Sequence, residues 1–419
     1  MARAAPSAVE QPEGSPMSAS VYLDHAATSP ITPAALAAMT DQLRVGGNPS
    51  SLHSGGRRAR MAVETAREQI ARAIGADPAE VIFTSGGTEA DNLAVKGLYW
   101  KRREQDPRRR RIILSGIEHH AVKDPAQWLA AHQEAQLTWL DPDAQGFLDP
   151  ESLRTLIERD PESIALISIM WANNEIGTVE PIRELARVAA EYGIPLHSDA
   201  VQAFGILPVD FRESAATALT ISGHKIGAPL GVGALVARRD APLAPVLHGG
   251  GQEREVRSGT LDAPAIAGFG AAAAEAAASR EVEVERIVRL RDRLIKGVLQ
   301  CVPDAVLRGS RSLDPRDRLP GNAHFTFPGT EGDSLLFLLD MAGVQSSTGS
   351  ACNAGVPRPS EVLLALGLTE QEARGAQRFT LGRTSTEADV DHLLAVLPDV
   401  WEQARSAGMA DHRPAGRWN

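Results

Sequence analysis

The chain has 419 residues, 43% of them hydrophobic and 23% charged, with a formal net charge of -10. That length leaves room for one large and one smaller domain, and the acidic balance argues against direct nucleic-acid binding, which needs clustered Lys and Arg. No apolar run approaches the roughly 18 residues of a membrane span, and the two cysteines, Cys301 and Cys352, cannot make a disulfide framework, so a reducing, cytoplasmic home is the simplest reading.

Residues 1–20 are rich in Ala, Pro, Ser and Glu without the apolar centre of a secretory signal, and read as a disordered tail. A short strand, Val21 to Leu23, runs into small residues, and Pro30 and Pro33 then open a helix, as proline's fixed φ allows in a first turn. Gly46 to Ser51 is turn chemistry, and Ala62, Ala66, Ile70 and Ala73 recur at helical spacing. From there strands and helices alternate. The candidate strands are Val81–Thr84, Ile112–Ser115, Gln136–Leu140, Ile164–Met170, Pro195–Asp199, Ala218–Ser222 and Val232–Ala237, with helix-like segments such as Glu89–Trp100 and Ile182–Tyr192 between them. This alternation predicts an α/β domain built on a mostly parallel seven-stranded sheet. Ligands of such sheets sit outside the carboxyl ends of the strands.

The polar residues of interest fall at those ends. The first strand runs into Thr84-Ser85-Gly86-Gly87-Thr88-Glu89, where glycines and a hydroxyl at a helix start make an anion site; an ordinary capped helix start reads the same way. The second is expected to carry Glu118-His119-His120 at its end. Neighbours on a strand point to opposite faces, so the two histidines make a poor metal site, although one can stack on a flat ligand. The fourth ends in Trp171 to Gly177, with Asn173, Asn174 and Glu175 at the sheet edge. The fifth ends in Asp199 and Gln202; a carboxylate there suits a protonated pyridine nitrogen, and a helix cap is the alternative. The sixth ends in Ser222-Gly223-His224-Lys225-Ile226-Gly227. A lysine at the mouth of a sheet, fenced by glycine and proline, suits an amine that bonds a carbonyl, pyridoxal phosphate included. Taken alone, Lys225 reads equally as an ordinary surface lysine after a strand, and it is the other strand ends that favour the first reading. A nicotinamide-binding domain is the rival, but no G-x-G-x-x-G follows the first strand.

Beyond Arg239 the pattern changes. His248 to Thr260 is a Gly-rich loop holding Arg254 and Arg257. An Ala-rich helix from Pro264 and then an amphipathic helix over Val282–Val298 follow. A strand at Asn322–Phe327 and a helix at Ser334–Met341 complete the outline of a smaller α+β domain. Ser346 to Pro357 is small, polar and Gly-rich, and reads as a mobile loop. Its Cys352 sits where little can bury it, which favours a reactive thiol; Cys301, in a helical pattern, reads as an ordinary small hydrophobe. Arg378, in a strand over Gln377–Arg383, can grip a carboxylate through two N–H groups.

Tyr22-Leu23-Asp24, Asn48-Pro49-Ser50-Ser51, Ser85-Gly86-Gly87-Thr88-Glu89, Asn173-Asn174-Glu175, Ser222-Gly223-His224-Lys225, Arg257-Ser258-Gly259-Thr260 and Gly349-Ser350-Ala351-Cys352 stand in one order. Over about residues 21–404 the chain resembles the pyridoxal 5'-phosphate-dependent cysteine desulfurases of iron–sulfur assembly and nitrogen fixation, class V enzymes of fold type I. The resemblance implies a large domain over 31–262, a small domain of 21–30 with 263–405, and a C-terminal tail over 406–419. It implies that Lys225 bonds the cofactor, Asp199 pairs with its ring nitrogen, His119 stacks on the ring and Gln202 meets its hydroxyl. It assigns the phosphate to Thr88, Ser222 and His224, with Gly87 also at the cofactor and Thr260 arriving from a partner subunit of a homodimer. Asn174 and Arg378 would clamp the carboxylate of L-cysteine. Cys352 would take the substrate's sulfur as a persulfide, release alanine, and pass the sulfur to an acceptor protein. No resident metal is implied, a cluster touching Cys352 only in transit. Asn353-Ala354 departs from the family's usual Thr-Ser after the cysteine, and Gly227 and Leu230 replace bulkier or charged residues. A selenocysteine lyase or an aminotransferase would share the cofactor edge, and a scaffold that keeps the cofactor only for folding is the non-enzymatic alternative.

Overall fold

The computed structural model describes residues 20–349 and 359–406. From the N-terminal side, β1 (Val21–Tyr22) leads through α1 (Pro33–Val45) and α2 (Ser54–Ala73) to β2 (Val81–Thr84), α3 (Gly87–Gln105), β3 (Arg111–Ser115), α4 (His120–Gln133) and β4 (Gln136–Leu140). There follow α5 (Pro150–Glu158), β5 (Ile164–Ser168), α6 (Ile182–Glu191), β6 (Leu196–Asp199), α7 (Phe211–Ser214), β7 (Ala218–Ser222) and β8 (Gly233–Ala237). The remainder comprises α8 (Ala263–Cys301), β9 (Val306–Leu307), β10 (Asn322–Thr326), α9 (Gly332–Met341) and β11 (Val344–Gln345), then α10 (Glu361–Ala365), α11 (Glu370–Arg374), β12 (Ala376–Thr380) and α12 (Glu387–Ser406).

The seven strands expected from the alternation form one sheet in the order β2-β8-β7-β6-β5-β3-β4. Strands β3 to β7 pair in parallel, while β8 runs antiparallel to both β7 and β2. Strands β5, β7 and β8 are buried at every residue, which is why they read as near-continuous apolar runs rather than as alternation. The order reverses at β3, since β4 pairs on one side of it and β5 on the other. That reversal opens the crevice in which such sheets bind ligands.

A second sheet, β12-β10-β9, is antiparallel, and β1 pairs in parallel with β11. Two main apolar clusters match the two sheets. One gathers α2, the large sheet and the start of α8, including Ile266, Phe269 and Ala273. The other gathers Val21 and Leu23 with Leu290, Leu294 and Val298 of α8, Phe325 and Phe379 of the small sheet, and Leu393 of α12. The Ala-rich and amphipathic segments are therefore not two helices. They are one unbroken helix of 39 residues, roughly 58 Å long at 1.5 Å per residue, whose two ends are buried in different cores. Nothing in the sequence at Ser279-Arg280 breaks it: there is no Gly or Pro between Gly270 and Gly297. Among the described residues no helix is long and apolar enough to cross a membrane.

The segment after β1 acts as a strap over the end of β7. Ser29 donates its N–H to the His224 carbonyl at 3.0 Å, and Thr32 donates to the Gly227 carbonyl at 2.8 Å. Thr32 also caps α1 by accepting from the N–H of Ala35. Gly227 has φ +79°, and a Cβ there would lie 2.8 Å from the Pro30 carbonyl oxygen and 2.7 Å from Thr32 Cγ2. Gly227→Ala must bear both a left-handed backbone and that clash, so it should lower the unfolding free energy by about 1–2 kcal/mol or more. A urea midpoint equal to the wild type's would show that the strap does not seat against Gly227.

Candidate active site

The carboxyl ends of β2, β3, β5, β6 and β7 surround a cavity of about 440 Å³. Gly87, Thr88, His119, Asn174, Asp199, Gln202, Ser222, His224, Lys225 and Arg378 all line it, so the structure brings together ten of the twelve residues singled out from the sequence. Thr260 is exposed and does not line this cavity. Cys352, and the expectation that its loop is mobile, lie outside the described residues. Both flanks of that segment, Ser347 and Gly349 before it and Pro359 and Glu361 after it, line the cavity.

Lys225 sits on the first turn after β7. Its Nζ donates to the carbonyls of Ala26 at 2.6 Å and Ala27 at 2.8 Å, both on the strap. Burial, helped by the nearby Arg378 charge and opposed by Asp199 and Asp24, pulls its amine down to about 8. His224 beside it is pulled down to about 4 by burial and the Lys225 charge, so it meets a ligand as a neutral imidazole. Its Nδ1 lies 3.3 Å from Thr28 Oγ1 on the strap.

Asp199 ends β6 and is buried; one of its oxygens accepts the N–H of Val201 at 2.9 Å. No helix follows it: residues 201–206 form turns and the next helix, α7, begins at Phe211, so Asp199 closes a turn rather than capping a helix. Burial raises its carboxyl above the usual range, while His119, the Val201 N–H and Lys225 pull the other way. Behind it lie two further buried carboxyls, Asp91 and Glu118. Burial pushes Glu118 up to about 8 against hydrogen bonds from Ser115 and the Met170 N–H. Burial, and next the Asp199 charge, raise Asp91 well above its ordinary value. The sequence reading missed Asp91; its signal was helical spacing, three residues after Thr88 on α3.

His119 and His120 do not end a strand. Strand β3 stops at Ser115, His119 is the N-cap of α4 and His120 its first residue. The premise that they alternate across a strand fails, because the chain has already turned into a helix. The outcome for ligand binding is similar: His119 lines the cavity with its Nδ1 accepting the Ala121 N–H at 3.1 Å, which leaves the ring proton on Nε2. Burial lowers its basicity, with Lys225 and His120 adding to that and Asp199 opposing it. Among the described residues no group of His, Cys, Asp and Glu could hold a metal ion.

Arg378, on β12, reaches across from the small sheet. It donates to Asp24 Oδ1 at 2.7 Å and to the Asn174 carbonyl at 2.8 Å, and its buried Nε has no partner among the described residues. Gln202 Nε2 donates to the Ala26 carbonyl at 3.0 Å.

The comparisons with known proteins fit this arrangement. The model for class-V aminotransferases matches residues 21–393. The chain belongs to the class-V aminotransferase family. Within it, the chain is 53% identical to an IscS-like cysteine desulfurase of Mycobacterium tuberculosis, over 93% of this chain and 98% of that one. Among solved structures, a NifS-like protein of Rickettsia africae superposes with a TM-score of 0.80 at 31% identity, covering 91% of this chain and 99% of its own. A structure described as SspA in complex with cysteine superposes with a TM-score of 0.72 at 35% identity, covering 87% of this chain and 99% of the other.

Class-V enzymes of fold type I use pyridoxal 5'-phosphate, and the residues present fit that group. The buried Ser222 hydroxyl has no hydrogen-bond partner among the described residues. Helix α3 begins at Gly86-Gly87 with no side-chain cap, leaving its first N–H groups free for an anion. A Cβ on Gly87 would come within 3.0 Å of Val201 Cγ2 and narrow that cradle. The lowered Lys225 amine supplies a test. In cofactor-free protein its acylation rate should rise with pH through about 8 and then level off, whereas an ordinary lysine keeps gaining up to about 10.4. Pulsed labelling read peptide by peptide would show this; a Lys225 profile parallel to that of surface lysines would contradict it.

Proposed function

We propose that the protein is a cysteine desulfurase that converts L-cysteine to L-alanine and leaves the sulfur as a persulfide on Cys352. The observation that carries this is the convergence of Lys225, Asp199 and Arg378 on one cavity whose rim is formed by both flanks of the Cys352 segment.

When bound, pyridoxal phosphate supplies an electron sink for the pair left on the substrate's Cα. Asp199 holds the ring nitrogen, His119 stacks on the ring, and Thr88, Ser222 and His224 hold the phosphate. Arg378 and Asn174 orient the substrate carboxylate. Lys225, whose amine burial lowers toward the neutral form, is the base that takes the Cα proton and later returns it. Cys352 attacks the substrate's sulfur as a thiolate. The new S–S bond forms as the substrate's C–S bond breaks; the sulfur is oxidised, and Cβ keeps the bonding pair and gains a proton. Cysteine and an enzyme thiol become alanine and an enzyme persulfide, so atoms and electrons balance. An acceptor protein then takes the outer sulfur.

Cys352→Ser should bind cofactor and cysteine normally and still make almost no alanine or sulfide, because a hydroxyl cannot hold a persulfide. In wild-type protein incubated with sulfur-labelled cysteine, the label should reach an acceptor through Cys352. Arg378→Ala should instead weaken cysteine binding roughly tenfold, the low end of a lost charge-assisted contact. Alanine production at the wild-type rate by Cys352→Ser would sink the sulfur-transfer mechanism.

We also infer a homodimer. Thr260 is exposed and, among the described residues, does not line the cavity of its own chain, and apolar side chains stand in water on α1, α2 and nearby loops: Leu36, Leu43, Leu52, Met61 and Leu230 are 51–82% exposed. Apolar surface of that kind marks an interface, and a partner that covers it could bring Thr260 to the neighbouring cavity. Sedimentation should give a dimer, and Thr260→Ala should loosen the cofactor. A fully active monomer would contradict both.

A further inference from the structure

Strand β2 is an edge of the large sheet, so among the described residues one side of it has no neighbouring strand. Two side chains satisfy that free side. Arg67 of α2 donates to the Val81 carbonyl at 2.7 Å, and Glu253 accepts the Phe83 N–H at 2.7 Å. The same two side chains pair with each other through two N–H···O contacts, of 2.8 and 2.9 Å, and the Arg67 guanidinium lies 4.7 Å over the Phe83 ring. Side-chain exposure is 11% for Arg67 and 3% for Glu253, so this pair is buried.

Glu253 begins a turn with an unusual backbone. Glu253, Arg254 and Glu255 have φ of +45°, +59° and +63°. Three successive non-glycine residues in the left-handed region are costly for L-amino acids, and such strain persists only where the surroundings impose it. Here the imposing contacts are the buried carboxylate of Glu253 and two closures of the loop, Gln252 Oε1 accepting the Gly259 N–H at 2.8 Å and Ser258 Oγ accepting the Gly251 N–H at 3.3 Å.

Four residues after Glu253, the same loop makes a second attachment. Arg257 donates from Nε to Glu89 Oε1 at 2.6 Å and from a terminal nitrogen to Glu89 Oε2 at 3.1 Å. Glu89 in turn accepts the Ser85 N–H at 2.7 Å. Between Phe83 and Glu89 lies the whole turn Thr84-Ser85-Gly86-Gly87-Thr88 at the mouth of the cavity. One loop therefore grips the anion-binding turn on both sides. Glu89 also stands in the first turn of α3, where an unpaired carboxylate would repel an anion at the helix start; the Arg257 guanidinium offsets that charge.

We propose that the 253–257 turn is a brace for the anion-binding turn, with Glu253 and Arg257 as positioning residues that set how tightly the site holds a phosphate. The proposal rests on the reading of Gly87 and Thr88 as the cofactor's phosphate site. Neither residue lines the cavity: Glu253 acts through β2, and Arg257 acts through Glu89. A brace for the phosphate must distinguish a phosphorylated ligand from the same ring without its phosphate.

The test is to remove the cofactor and titrate the protein with pyridoxal phosphate and with pyridoxal, following absorbance. Glu253→Gln keeps an acceptor for the Phe83 N–H and loses the paired charge; Arg257→Gln leaves Glu89 unpaired. Each should weaken pyridoxal phosphate about tenfold, the order of a lost charge-assisted contact, and pyridoxal by less than about twofold. If Glu253→Gln loses cooperative melting because Arg67 keeps only the more exposed Glu64 as a charged partner, Arg257→Gln, at the margin of the loop, decides alone. Equal weakening of both ligands, or of neither, overturns the brace. If the wild-type protein holds pyridoxal phosphate no more tightly than pyridoxal, the phosphate site itself is misassigned and the brace falls with it. A wild-type preference that survives both substitutions overturns the brace alone.

Discussion

The site depends on keeping one lysine amine out of bulk water while giving it something weaker than a carboxylate to hold. Lys225 Nζ meets two backbone carbonyls of the strap, at Ala26 and Ala27. Carbonyl dipoles satisfy its hydrogen bonds without the full Coulomb attraction that would fix it as a permanent cation. Burial and the Arg378 charge then bring its pKa close to neutrality. A direct pairing with Asp199 would have had the opposite effect, holding the proton on the lysine and using up the carboxylate. The arrangement therefore gives the amine two carbonyls and leaves the Asp199 carboxylate out of its hydrogen bonds.

That division needs the strap, and the strap belongs to both cores. Val21 and Leu23 pack in the cluster of the small sheet, while Ser29 and Thr32 hydrogen-bond to the backbone beyond β7. Helix α8 ties the same two cores together from the other side, contributing Phe269 to one and Leu294 to the other. The lysine's partners and the arginine's platform are thus set by elements that share neither a sheet nor a stretch of sequence. A substitution at Gly227 or in the first residues after β1 would be felt at Lys225 although none of those side chains lies on a strand of the large sheet.

Much of this was legible in the sequence, for physical reasons. Buried parallel strands announce themselves as short apolar runs, and all seven were found because glycine, proline and polar residues punctuate them. The strand ends were legible because small and polar residues there have no packing reason to be present. What was hidden has equally specific causes. The reversed direction of β8 leaves no mark on a strand that is apolar throughout. The His119-His120 pair looked like a strand end because an N-cap shares a strand's extended backbone; only the early end of β3 at Ser115 and the Ala121 N–H held by the His119 ring mark it as a cap. Asp91 and Glu253 are single charged residues in helix and loop text, and only the fold shows that one lines the cavity and the other is buried against β2. Thr260 was singled out by its motif, and no single chain can display the contact expected of it.

Arg378 shows how the pieces constrain one another. Its guanidinium already holds Asp24, on the strap, and the Asn174 carbonyl, at the end of β5. Its buried Nε has no partner among the described residues, so a further carboxylate arriving there would meet one free donor and compete with Asp24 for another. Asp24 is two residues from Ala26, whose N–H is held separately by Thr380 Oγ1 at 2.9 Å and whose carbonyl accepts from both Lys225 and Gln202. Arg378 and Lys225 therefore share a partner segment, the four residues Asp24 to Ala27, which both side chains hold without a hydrogen bond between them.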